Sequence, residues 1–184
     1  MPLVRNGDFR LDEDADGVAD GWTVTITGQE GSSSLEQIEG DELYQKARVT
    51  SPDANGRIGI MLARHDVPVK AGEWYRISLK AKADLPPGTT VTLAIQNMKT
   101  WLSFFDYQRS MPDKEWREFV FLVQAKDSAE TDTRFQSWHS GTGTVWYRDV
   151  RMAPVRSPEE GRWLAGLHLD EPEDWDYPYR FFRW

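Results

Sequence analysis

The sequence predicts an all-β protein, arranged as a two-layer sandwich. Three observations carry this expectation. Short segments between residues 43 and 152 alternate apolar and polar side chains and are separated by Gly, Pro and Asp turn signals. No segment of ten or more residues between positions 20 and 156 repeats its apolar residues at the 3.6 spacing of a helix. The apolar content leans on nine Trp, eight Phe and six Tyr, side chains that favour sheets over helical bundles. A chain of 184 residues fits about one domain and can bury a core unaided.

Each element follows from its residues. Residues 43–50 (LYQKARVT) and 58–63 (IGIMLA) are short strand candidates. From Trp74 to Ala83 the alternation is clean: Tyr75, Ile77, Leu79, Ala81 and Ala83 share one face, and Arg76, Ser78, Lys80 and Lys82 the other. One apolar and one wet face describe a half-buried strand. Residues 84–90 (DLPPGTT) are a turn, and Thr90 to Asn97 forms the next strand on Val91, Leu93 and Ile95. A long irregular link covers residues 98–114. Glu115 to Gln124 returns to strand, with Phe119, Phe121 and Val123 in phase as core. Residues 133–139 and 144–152 close the series around the turn SGTG. The sandwich is expected over residues 1–155. Residues 156–184 form an acidic, aromatic-rich, irregular tail or linker.

Absence of Cys excludes disulfides, thiolate catalysis and Cys-ligated zinc. No run approaches the roughly 18 apolar residues of a membrane span. MPLVRNGDF has no apolar signal-peptide core. The net charge of -8 is unevenly spread: residues 1–40 carry -7, residues 41–156 carry +3 and residues 157–184 carry -4. No strong basic stripe suits a nucleic acid, while the mildly basic middle permits an acidic glycan. Phosphate-binding loops, the nucleophile elbow and the HExxH zinc motif are all missing. The three His residues (His65, His139 and His168) are far apart in sequence.

Asp12, Asp14, Asp16 and Asp20 stand at positions 1, 3, 5 and 9 of a loop with Gly17 at position 6. Oxygen ligands at every second residue with a turn-permitting Gly suit Ca²⁺. Thr23 occupies the place of the EF-hand's final Glu, so the loop is not an EF-hand. A structural Ca²⁺ and a solvated acidic turn both remain open.

Sugar rings offer apolar C–H faces to flat aromatics and hydroxyls to amides and charged groups. Trp101, Tyr107 and Trp138 are the candidate platforms, with Gln96, Arg109, Gln136 and His139 as polar partners. Three of them lie in the long link, where binding residues concentrate. Each ring has a packing alternative, and for Trp22, Trp74, Trp116 and Trp146 a core or structural role is expected.

Several segments together resemble a family. Leu3-Val4-Arg5-Asn6-Gly7-Asp8-Phe9, followed by Asp20-Gly21-Trp22, looks like the N-G-x-F-E … G-W opening of carbohydrate-binding modules of the family 4, 9 and 22 type. The strand from Trp74 to Ala83, the segment Glu115-Trp116-Arg117-Glu118-Phe119 and the strand Val145-Trp146-Tyr147-Arg148-Asp149-Val150 resemble later motifs in the same order. The resemblance covers residues 3–153. It implies a jelly roll of galactose-binding-like type, non-catalytic binding of an oligo- or polysaccharide, a structural Ca²⁺ and an extracellular or cell-surface setting beside a catalytic domain. Asp149 matches the family's last-strand metal ligand. Arg10 stands where the opening motif has Glu, and Arg148 replaces the first Asp of the closing pair. The tail from Asp170 to Trp184 looks like a passage into a neighbouring domain. Two rivals remain: a docking domain without a ligand site, and a small lyase or hydrolase using Tyr107, Arg109 and His139.

Overall fold

A computed structural model describes residues 3–37 and 42–160. The tail expected to pack on the sandwich or on a neighbour lies outside them from residue 161. Ten strands form the described chain: β1 Trp22–Thr27, β2 Glu30–Gln37, β3 Leu43–Ser51, β4 Gly59–His65, β5 Trp74–Asp84, β6 Val91–Asn97, β7 Gln108–Ser110, β8 Arg117–Gln124, β9 Thr133–Ser140 and β10 Gly143–Val155. They make two five-stranded sheets, in the orders β1-β4-β9-β6-β7 and β2-β3-β10-β5-β8. Every pairing is antiparallel.

The strands read from alternation are all present. Two more precede them. β1 (WTVTIT) alternates plainly, while β2 (EGSSSLEQ) has little apolar phase and is set by its register against β3. Within the long link, β7 has only three residues, held by pairing with β6.

The core lies between the sheets. Trp22, Leu62, Leu93, Ile95 and Phe135 of the first sheet meet Tyr75, Ile77, Leu79, Val145 and Tyr147 of the second. Phe135 packs edge-on against Trp22 at 6.0 Å between ring centres, and Trp22 against Phe9 at 5.2 Å. Ser137 and Tyr147 bring their hydroxyls within 3.1 Å across the layers. Complete burial pushes the Tyr147 phenol up to about 12.

The N-terminal motif has a structural logic. Asn6 accepts a hydrogen bond from the Leu11 backbone and donates to the Leu11 and Asp20 carbonyls, closing the acidic loop. Gly7 lies against β10, where an added Cβ would come within 1.9 Å of the Val150 carbonyl oxygen. Phe9 is fully buried, and the Trp22 indole N–H donates to the Asn6 carbonyl at 2.8 Å.

Candidate binding face and metal loop

Side chains of the first sheet that point away from the core line up in rows across the strands. One row runs Thr25, Met61, Trp138, Thr92, Arg109. The next runs Thr23, Ala63, Gln136, Ala94, and the third runs His65, Arg134, Gln96. Rows arise because antiparallel partners lie opposite one another and alternate residues share a face.

The link between β6 and β7 supplies two rings to this face. Tyr107 meets Trp138 edge-on at 5.4 Å and is 43% exposed. Trp101 is 55% exposed and lies against the Arg134 guanidinium, 5.2 Å from its ring centre. Its φ of 62° is a left-handed conformation costly for a bulky residue. The backbone is thus strained where a large apolar ring is held in solvent.

Beneath the rings runs a chain of oriented amides. Gln136 donates from Nε2 to Gln96 Oε1 at 2.7 Å, and Gln96 Nε2 donates to the Tyr107 hydroxyl at 2.8 Å. Gln136 is 4% exposed, and its Oε1 is buried with no hydrogen-bond partner. The chain therefore ends in a buried, unpartnered acceptor at Gln136 and, because the Tyr107 oxygen is the acceptor, leaves the Tyr107 O–H free to donate.

Of the residues expected from sequence, Trp101, Tyr107, Trp138, Gln96 and Gln136 come together, with Arg109 in the Trp138 row. His139 does not join them. Strand phase places it on the core side with Phe135 and Ser137, 3% exposed, with no side-chain partner for either ring nitrogen. Burial pushes its pKa down. The trio Tyr107, Arg109 and His139 is therefore split between the outer face and the interior. Arg134, two residues before Gln136 on the same phase, is the member that sequence reasoning missed, although the alternation of β9 identifies it.

Trp116 and Trp146 are associated with the second sheet, where their rings meet the chain's own cations. Lys82 lies 4.9 Å from the Trp146 ring centre and 5.3 Å from that of Trp116, and Lys46 lies 5.6 Å from Trp146. Both rings are partly buried, and each has a cation of the chain itself within cation–π distance.

In the acidic loop, Asp12, Asp14 and Asp20 each bring an oxygen within 4.8 Å of the others. Asp12 Oδ1 is buried without a hydrogen-bond partner. Two of the expected metal ligands stand apart from this group. Asp16 accepts the Val18 N–H at 2.7 Å as part of the turn. Asp149 sits at the β10 bulge, pairing with Lys80 at 3.0 Å and with Arg148 and Arg151. Burial alone would raise the Asp149 pKa, but the hydrogen bond and charge of Lys80 and the two arginines hold it below the usual carboxylate value. Three cations of the chain itself balance this carboxylate. Gln45, fully buried on β3, clamps the loop to the sheet: it accepts the Ala19 N–H and donates to the Gly17 and Ser34 carbonyls.

No family model and no curated protein matches the sequence. Solved structures do match. A CBM4 structure, from a carbohydrate-binding module, aligns with a TM-score of 0.55 at 21% identity, over 83% of this chain and 99% of that one. The N-terminal cellulose-binding domain of a Cellulomonas fimi β-1,4-glucanase C aligns at 0.57 and 17%, over 85% and 99%. The enzymatically active domain of bacteriophage CBA120 tailspike protein 4 aligns at 0.62 and 13%, over 84% of this chain but only 22% of that one. At these identities the likeness is one of fold, and the chain has the jelly-roll sandwich of carbohydrate-binding modules.

Proposed function

We propose that this chain is a non-catalytic carbohydrate-binding module that holds an oligo- or polysaccharide across the outer face of the β1-β4-β9-β6-β7 sheet. The observation that carries this is the exposed, strained Trp101 beside a hydrogen-bonded amide chain ending in a buried, unpartnered acceptor at Gln136. Trp101, Trp138 and Tyr107 stack on the C–H faces of sugars. The Tyr107 hydroxyl donates to a sugar hydroxyl, and the buried Gln136–Gln96 pair beneath it sets its orientation. Fold likeness to a cellulose-binding domain supports the same assignment. Binding would target an attached catalytic domain to its glycan outside the cell.

A structural Ca²⁺ on Asp12, Asp14 and Asp20 belongs to this proposal. Three converging carboxylate oxygens are hard donors that suit Ca²⁺, and the buried, unpartnered Asp12 oxygen favours a cation there. Its role is to hold the loop, away from the sugar.

The docking alternative draws on a different feature. A groove of about 800 Å³ runs between the edge strands β7 and β8, lined by Trp74, Phe105, Leu122 and Pro158 among others. A neighbouring domain seated there would need no ligand.

A glycan array with and without Ca²⁺, followed by calorimetry on the hits, tests the proposal. Trp101→Ala and Trp138→Ala should each weaken glycan binding about 10-fold or more, in line with aromatic contacts of roughly 1–3 kcal/mol. Their melting temperatures should stay close to that of the parent. An array on which no glycan binds under either condition overturns the proposal in favour of docking.

A further inference from the structure

Arg134 stands in the middle of the candidate face, between His65 and Gln96 in its row. It is half-buried, its Nε is buried without a partner, and no carboxylate among the described residues pairs with it. Burial pushes its pKa down with nothing opposing it. A partly desolvated guanidinium normally finds an anion, because the charge is costly to leave unmatched. Here its only described interaction is with the Trp101 ring.

The surroundings sharpen the point. The three rows hold Arg134, Arg109 and His65 and no Asp or Glu, in a chain with 30 acidic residues. Acids in the neighbouring loops are already spoken for: Asp106 pairs with Lys126 and Asp132 with Lys99, each at 2.6 Å. Beyond His65, the cleft holding Arg5 and Arg64 also contains Asp66 and Glu130, so its charges match. Unmatched charge is therefore concentrated at Arg134 and Arg109.

Resting on the glycan-binding assignment above, we propose that the ligand is anionic, a glycan containing uronic acid whose carboxylate is taken by Arg134. Trp101 is exposed and lies against the Arg134 guanidinium on this face. A sugar stacked on the open side of Trp101 therefore brings a ring carboxylate within reach of the guanidinium. The planar fork of Arg matches a carboxylate with two parallel hydrogen bonds, and stacking on Trp101 fixes the plane of that fork.

The test titrates the whole chain with galacturonate and glucuronate oligosaccharides, with the same oligosaccharides after reduction of their carboxyls, and with a sulfated neutral oligosaccharide. At least one uronate oligosaccharide should bind roughly 10- to 100-fold more tightly than its reduced form, the range of charge-assisted hydrogen bonds. Added salt should shrink that gap. Arg134→Met should abolish that gap, read within the variant as equal affinity for the uronate and its reduced form, with the melting temperature in place. Arg134→Lys, which keeps the charge but loses the fork, should restore only part. Equal affinity for carboxylated and reduced forms overturns the anionic assignment and leaves the glycan-binding proposal standing. Preference for the sulfated sugar overturns the carboxylate. If no glycan binds, acidic or neutral, both proposals fall.

Discussion

At the scale of single residues, burial decides what each polar group can do. Gln96 and Gln136 are buried amides on the outward phase of their strands, so their hydrogen bonds run along the face. His139 is as deeply buried on the inward phase, where burial disfavours its charged form against a smaller opposing effect of the Ser140 backbone. Its folded pKa lies below the unfolded value of about 6.5, so the unfolded chain binds the proton more readily. The stability that His139 contributes is complete above about pH 6.5 and is lost as pH falls from there toward the lowered folded pKa. Unfolding free energy, and with it the melting temperature, should therefore fall as pH drops below about 6.5, with a slope of at most about 1.4 kcal/mol per pH unit from this residue. His139→Leu should flatten that dependence. An unchanged slope would remove His139 as its source. The sequence alone, read for residue type, grouped His139 with the sugar-facing set. Its position one step out of phase with Trp138 was the signal that separates them.

At the scale of elements, legibility followed alternation. β5 was expected over 74–83 and spans Trp74–Asp84, and β6 was expected over 90–97 and spans Val91–Asn97. Their apolar faces meet the core directly, so composition carries the periodicity. β2 and β7 lie at sheet edges, where fewer side chains need to be apolar and pairing with a neighbour sets the strand. The candidate platform residues of the 98–114 link were named from composition and location, whereas their grouping with Gln136 depends on cross-strand register that no local pattern encodes. The acidic loop shows the same division. Its carboxylate spacing was visible, but its clamp was not, because Gln45 lies 26 residues from Ala19 in sequence. Adding Ca²⁺ to chelator-stripped protein should raise the melting temperature, and Asp12→Asn should reduce that rise. Gln45→Leu strips partners from three buried or half-buried backbone groups. It should cost about 2–4 kcal/mol and weaken Ca²⁺ binding, read by denaturant unfolding and calorimetry. A melting temperature indifferent to Ca²⁺ would leave the loop a solvated turn.

At the scale of the molecule, one aromatic chain ties the N-terminal segment to the sandwich. Trp22 touches Phe9 on one side and Phe135 on the other, and its N–H holds the Asn6 carbonyl. Trp22→Ala should cost about 3–5 kcal/mol, a large part of the roughly 5–15 kcal/mol that stabilises a typical domain. Urea unfolding should show this as a shifted midpoint. A loss below about 1 kcal/mol would mean that the N-terminal segment is held by other contacts, such as the hydrogen bonds from Leu3 to Met152 and from Val150 to Gly7. Charge also acts at this scale. The net charge of -8 opposes an anionic polymer at long range, so recognition of a uronate depends on short-range contacts at an acid-free face.

Strand β9 writes two messages in alternate letters. Phe135, Ser137 and His139 belong to the interior, and Arg134, Gln136 and Trp138 belong to the face. The two sets share a backbone but few neighbours. If the face binds a glycan as proposed, substitutions at the even-numbered positions change which sugar is preferred while the odd-numbered positions keep the sandwich intact. An inherited scaffold of this kind can diversify its ligand without re-solving its folding problem, and a designer can do the same by varying only every second residue.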